Sequence, residues 1–209
     1  MAASTKSRNH RLLEVMAVVL LGVATIGSAW CGYQASRWNG KQDELARRAS
    51  DLQVDANRQF GLATQIVSYD SNMIAGYAES IASGNEKLQE FYRTTLLRPE
   101  TLPLIDEWRA QIAAGQPPTR LLEDQAYLDA QLAPYRAAQT AVEASTVGAT
   151  DAGRTGDDYV LTTVLLASAL FFAGLTTSFR VRIAQLLLLS GAALLIAYSA
   201  SRLADLPVA

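Results

Sequence analysis

Residues 15–36 contain no Asp, Glu, Lys or Arg. About 20 such residues are what one α-helix needs to cross the hydrocarbon of a bilayer. The run follows a basic leader with Lys6, Arg8 and Arg11 and ends among Trp30, Tyr33 and Trp38, and aromatic rings of this kind settle at lipid headgroups. Gly27, Ser28 and Ala29 have the small side chains of a signal-peptide cleavage site. The apolar run is longer than a signal core, however, and carries on through Trp30 and Tyr33, so it reads as an uncleaved anchor.

Two more apolar stretches, residues 159–179 and 183–200, reach membrane-spanning length, although the mean hydropathy of the whole chain is only +0.09. The expected division is a leader (1–14), a first span (15–36), an extramembrane block (37–158), two further spans and a short tail (201–209). The expected fold is all-α: three transmembrane helices, with an antiparallel helical bundle or coiled-coil stalk inserted between the first and the second. The inserted block carries 12 Lys or Arg against 18 Asp or Glu. A mildly acidic block argues against nucleic acid, whose usual footprint is a basic face.

Within that block Leu45, Ala49, Leu52, Ala56, Ala63, Ile66, Met73 and Tyr77 follow the four-and-three spacing of a helical seam, with Gln59 and Asp70 as polar members. Phe60, Val67, Ile74, Ile81 and Leu88 add a second seven-residue stripe, which widens the face to that of a bundle helix. Gly84 and Asn85 read as a stop and a fresh cap. A short helix then runs to Arg98, and Thr101 is placed to cap another through Leu104, Ile105, Trp108 and Ile112, ended by Gly115, Pro117 and Pro118. A last helix begins near Thr119 and runs to about Val147, with Leu121, Leu128, Leu132, Tyr135 and Val142 at seam spacing, Gln125 and Gln139 as polar members and a kink expected at Pro134. Three glycines and three aspartates from Gly148 to Asp158 read as a hinge or loop.

A helix over residues 37–83 would extend on the order of 70 Å and the returning one about 45 Å. To reconcile them, either the middle helices fold back along the tip or the long helix breaks near Gly61 or Gly76. The last two spans are joined by little more than Arg180, Val181 and Arg182, a turn that forces an antiparallel hairpin. Tyr159 and Tyr198, with Trp30 and Tyr33, suggest one shared interface at the domain ends of the spans. The basic leader and the hairpin arginines favour a cytoplasmic N-terminus with residues 37–158 outside the plasma membrane.

The layout, with the Tyr33-Gln34-Ala35 exit from the first span and the arginine-bearing hairpin of Phe179 to Arg182, resembles bacterial three-span inner-membrane proteins known only as domains of unknown function. The resemblance implies an anchor, a helical domain and a terminal hairpin in a bacterial inner membrane. It implies no activity and no functional residues.

Chemistry-bearing residues are sparse. The one histidine, His10, lies in the leader, and the one cysteine, Cys31, lies in the first span, where it reads as a small packing residue. The block therefore has no histidine base, histidine metal cluster or thiolate. Glu123 with Asp124, Asp106 with Glu107 and Asp157 with Asp158 are adjacent, and adjacent helical residues do not share a face. They read as solvated or capping pairs, the last suited to the N-terminus of the second span. The Gly153-Arg-Thr-Gly156 stretch lacks the lysine and the preceding strand of a phosphate loop. No charge lies inside a span, which argues against an ion path; Glu14, at the edge, is expected to pair with Arg11 or Arg180.

The expected function is accordingly non-enzymatic, with no cofactor: a multi-pass helical scaffold or interaction module, embedded in membrane lipid, that self-associates and meets an unidentified protein partner. Ala24, Ser28, Gly32 and Ser36 would form a small-residue packing face. Gln59, Asp70, Gln125 and Gln139 would set bundle register, and Phe91, Tyr92 and Trp108 would form a contact at the tip. The alternative is a ligand-sensing, transport or channel accessory subunit.

Overall fold

The computed structural model describes residues 2–117, 121–179 and 181–209, with side chains from Leu13 onward. The arginines and the histidine of the leader, Arg180, Pro118 and Thr119 therefore lie outside the described side chains. The described chain is helical, without strands: α1 (Ala2–Ala82), α2 (Glu86–Phe91), α3 (Leu102–Ala113), α4 (Gln125–Leu175) and α5 (Arg182–Asp205), with a π turn at Tyr92–Leu96 and short 3-10 turns at Pro99–Thr101 and Leu121–Glu123. Three of these helices, α1, α4 and α5, are long and apolar enough to cross a membrane. The chain forms two compact units, Met1–Arg47 with Ser145–Ala209, and Arg48–Ala144.

The first unit keeps mostly small residues inside, with Leu166 and Leu189 as buried exceptions, and many of its large aliphatic ones outside. Its core joins Ala24, Cys31 and Ala35 of α1 to Tyr159, Leu166, Ala169 and Ala173 of α4 and Ala192 of α5. Val18, Ile26, Val164, Phe171, Leu187 and Leu194 face outward, each more than half exposed. Small interior residues let helix backbones approach closely, the packing by which helices associate in lipid.

Within the first unit the buried positions of α4 run Ser145, Ala149, Ala152, Gly153, Gly156, Tyr159, Thr162, Leu166, Ala169 and Ala173. This near-regular alternation of threes and fours is the period of a left-handed helical seam. It passes without a break through residues 148–158, where a hinge or loop was expected. The glycines there are contact points: a methyl at Gly153 would stand 2.8 Å from the Gln42 side chain, and one at Gly156 would stand 2.5 Å from that of Asn39. Glycine in this helix provides room for a neighbour and does not break the backbone. Asp157 and Asp158 thus do not begin a helix; Asp158 instead accepts from Arg202 of α5 at 2.6 Å. Nor does Tyr159 belong to an exposed aromatic belt. It is 1% exposed and donates to the carbonyl of Pro207.

In the second unit α1 continues unbroken past Gly61 and Gly76, and the middle segment folds back on its end. Tyr77, Leu97 and Ile105 form the core there, flanked by Met73, Ile74, Ile81 and Tyr92. Gly76 accommodates the Tyr92 ring. At the end of α1, Gly84 takes φ +67° while Asn85 N–H reaches Ser80 O and Gly84 N–H reaches Ile81 O, both at 3.0 Å; this is a Schellman stop. Asn85 then caps α2 by accepting from Leu88 N–H.

The helix expected to reach Arg98 ends earlier. It opens into the π turn, and Leu97 and Arg98 are extended, as a residue before Pro99 is constrained to be. Thr101 occupies the cap position of α3 without capping it, because its hydroxyl donates back to Arg98 O at 2.8 Å. The last helix begins at Gln125, its Asp124 cap accepting from Tyr127 N–H at 2.7 Å, and continues through Pro134.

Two glycine substitutions should behave oppositely. Gly61 is exposed in mid-helix, with open space where the methyl of an alanine would stand, so Gly61→Ala should stabilise by about 0.5–1 kcal/mol. Gly156→Leu must displace Asn39 and should cost about 1–3 kcal/mol. Thermal unfolding in one detergent, followed by circular dichroism, checks both.

Candidate functional site

The polar residues expected to set register prove unequal. Asp70 is 1% exposed on α1. Its Oδ2 accepts from Arg98 Nη1 at 3.1 Å and from the Tyr127 hydroxyl at 2.6 Å, while its Oδ1 is buried without a hydrogen-bond partner. One carboxylate thus ties α1 to the link before α3 and to the first turn of α4. The Tyr69 hydroxyl donates to Leu96 O at 2.8 Å, fastening the same link. Arg98 also reaches Glu100 at 3.3 Å. Farther along, Arg109 donates to the Tyr77 hydroxyl at 3.1 Å, and Arg93 grips Asp106 with two bonds of 2.7 and 3.0 Å.

Gln59 and Gln139 are half-buried, and Gln139 donates to Tyr135. Gln125 is exposed and donates to Asp129. Beside Gln59, the rings of Phe60 and Tyr135 pack 5.3 Å apart. The three tip aromatics do not form one patch. Phe91 is half exposed, Tyr92 packs into the Tyr77 core, and Trp108 lines a shallow open groove with Ser71, Ile74, Ala78 and Leu121.

In the first unit the four-residue stripe turns across the surface of α1. Ala24 is buried and Ser28 half-buried, whereas Gly32 and Ser36 are exposed. A four-residue repeat advances beyond one turn of 3.6, so it cannot stay on a single face. Exposed small residues nevertheless recur on that helix as Gly22, Thr25, Ala29, Gly32 and Ser36, with open space beside both glycines.

Two polar fixtures escaped the sequence reading. Gln34, 1% exposed, accepts from Ala209 N–H at 2.9 Å, and Trp38 donates its indole N–H to Pro207 O at 3.1 Å, so the tail is bound to the unit. Gln185, 6% exposed, donates to Phe179 O at 2.8 Å in the hairpin turn. A glutamine inside an otherwise apolar run was the available signal, since a buried amide must find partners.

Burial, and then the bond to Asp70, push the Tyr127 hydroxyl well above its ordinary value of 10.0. The folded state therefore holds the proton more tightly than the unfolded state. The stabilisation is complete below pH 10.0 and declines as pH rises through the higher folded value. Tyr127→Phe should cost about 1–3 kcal/mol at neutral pH by taking a donor from a buried acceptor, and should remove that alkaline decline. Arg98→Met should cost about 3–5 kcal/mol, with much of the loss recovered in the Asp70→Leu/Arg98→Met double variant. Chemical denaturation from pH 7 to 11.5 measures all three.

No family model, curated protein or solved structure matches this chain.

Proposed function

We propose that the chain is a non-enzymatic, multi-pass membrane protein that self-associates through α1 and presents the unit Arg48–Ala144 to a protein partner. The observation that carries this reading is the division of small residues on the first span between two faces. Ala24, Cys31 and Ala35 serve the chain's own bundle. Gly22, Ala29, Gly32 and Ser36 face outward, with open space beside the glycines. In lipid an exposed glycine gains nothing over a larger residue unless a helix packs against it, and such stripes are the usual contact between membrane helices.

The outward aliphatic residues of all three long helices support a bilayer as the medium, since a surface so apolar is not stable in water. In this reading residues 15–36, 159–179 and 183–200 cross a bacterial inner membrane. The basic leader and the hairpin arginines stay in the cytoplasm, and residues 37–158 stand outside as an inserted bundle. Phe91 and the open groove beside Trp108 are apolar features available to a partner.

The mass of the native complex, extracted with its lipids, tests the proposal. Two or more copies are expected, and Gly22→Leu/Gly32→Leu should shift the population towards one copy. A single copy without any companion protein sinks the reading. The Trp108 groove is the feature on which a second reading would stand, a ligand-sensing or transport accessory subunit, in which a small apolar molecule raises the melting temperature of the second unit.

A further inference from the structure

Wound at 3.6 residues per turn, the first span of α1 presents three faces. Ala24, Cys31 and Ala35 serve the chain's own core, and Gly22, Gly32 and Ser36 belong to the exposed small-residue face. The third face carries Val23, Ile26, Trp30, Tyr33, Arg37 and Lys41 at steps of three and four, all of them exposed. Bulky side chains give a second helix no close approach, so lipid is the neighbour that this face fits.

Along it the chemistry follows the depth of a phospholipid. Val23 and Ile26 match acyl chains. The Trp30 and Tyr33 rings, 6.0 Å apart between centroids, are of the kind that settles at the headgroup boundary. Arg37 follows Tyr33 by about 6 Å along the helix. Lys41 does not extend away from the span: its ammonium lies 4.8 Å from the centre of the Trp38 ring, three residues nearer the membrane, which brings the two cations towards one level. Trp38 is itself held, because its indole N–H donates to Pro207 O at 3.1 Å and its ring packs on the core of the unit. The lysine is therefore placed before any ligand arrives.

Among the described residues Arg37 and Lys41 take part in no ion pair. Glu44, on the same face, and Asp205, at the end of α5, lie beyond ion-pair distance of both, and Asp158 is engaged by Arg202 at 2.6 Å. Two unpaired cations beside an aromatic boundary select a headgroup that brings negative charge and no cation of its own. Phosphatidylethanolamine and phosphatidylcholine each carry an ammonium that this pair repels, whereas phosphatidylglycerol carries none. We propose that this face of α1 binds an anionic phospholipid of the phosphatidylglycerol type, its phosphate held by Arg37 and Lys41 and its chains along Val23 and Ile26. The inference rests on the membrane reading above and not on self-association, which uses another face.

Tryptophan quenching by brominated lipid reads this place locally. The full chain is reconstituted in vesicles of phosphatidylglycerol and phosphatidylcholine with matched chains, and each lipid in turn carries the bromine, which quenches only rings beside it. Trp30 and Trp38 report, while Trp108 in the second unit gives a constant background. Phosphatidylglycerol should be preferred by about tenfold, the order that two cations contribute at a membrane surface. Arg37→Gln/Lys41→Gln should abolish the preference at an unchanged melting temperature. Arg47→Gln/Arg48→Gln removes the same charge about 10 Å farther along α1, roughly one Debye length, and should keep most of it. That second variant leaves the test decisive should the first not fold.

Equal quenching by the two lipids overturns the proposal. So does a preference that Arg47→Gln/Arg48→Gln lowers as far as Arg37→Gln/Lys41→Gln does, since the cause is then diffuse charge and not a site. Quenching by neither lipid means that protein covers Trp30, which also overturns it. Gly22→Leu/Gly32→Leu should leave the preference intact whatever becomes of the copy number, and its loss there overturns the assignment to one chain. Failure of the chain to float with liposomes refutes the membrane reading separately, and that assay comes first.

Discussion

Close approach between backbones is the constraint on which the first unit depends. Many long aliphatic side chains point outward, and among its buried residues alanines outnumber the large apolar ones, Tyr159, Leu166 and Leu189. Contact comes in large part from Ala24, Cys31 and Ala35 with Ala169, Ala173 and Ala192, side chains small enough to let neighbouring helices approach closely. In lipid, contacts of this kind draw their cohesion from dispersion between many close atoms. The same constraint explains Gly153 and Gly156, which leave space for the side chains of Gln42 and Asn39. It also explains why the few polar groups inside the unit, such as Gln34 and Gln185, are joined to backbone atoms.

The second unit follows the opposite rule. Its core collects large rings and branched chains, Tyr77, Ile105, Ile74 and Tyr92, and its polar bonds hold an irregular connection in place. Asp70, at the seam of α1, receives Arg98 from the link and Tyr127 from α4. A buried carboxylate is costly unless it is paired and hydrogen-bonded. The position therefore specifies which segments must meet, since only the folded-back arrangement of the middle helices supplies both donors.

The class of fold was legible because length and apolarity alone announce a long membrane-type helix, and periodicity announces a bundle. Ala56, Ala63, Asp70 and Tyr77 are all buried at the expected seam spacing. The Gly84-Asn85 stop was legible for a local reason: positive φ and an Asx cap are each written in single residues. The stretch from Gly148 to Asp158 was misread because glycine has two uses, as a breaker and as a spacer, and only the partner helix tells them apart. The Thr101 error is similar, since a hydroxyl can accept from the helix ahead or donate to the turn behind, and the sequence is silent on direction. At the candidate sites, Asp70 could be singled out as a polar seam residue, but its partners lie 28 and 57 residues away and no local pattern identifies them. Three tip aromatics adjacent in outline separated into an exposed ring, a core ring and a groove wall for the same reason.

The fastening of the tail to the first unit bears on the order in which the protein can form. Trp38 meets Pro207 across 169 residues and Gln34 meets Ala209 across 175, and contacts so distant along the chain are among the last to close. A ribosome would deliver the opening helix long before the groups that complete it. Through that interval the Gln34 amide would lack the Ala209 N–H that it accepts in the folded unit, so the opening helix is complete only once the hairpin and tail have arrived.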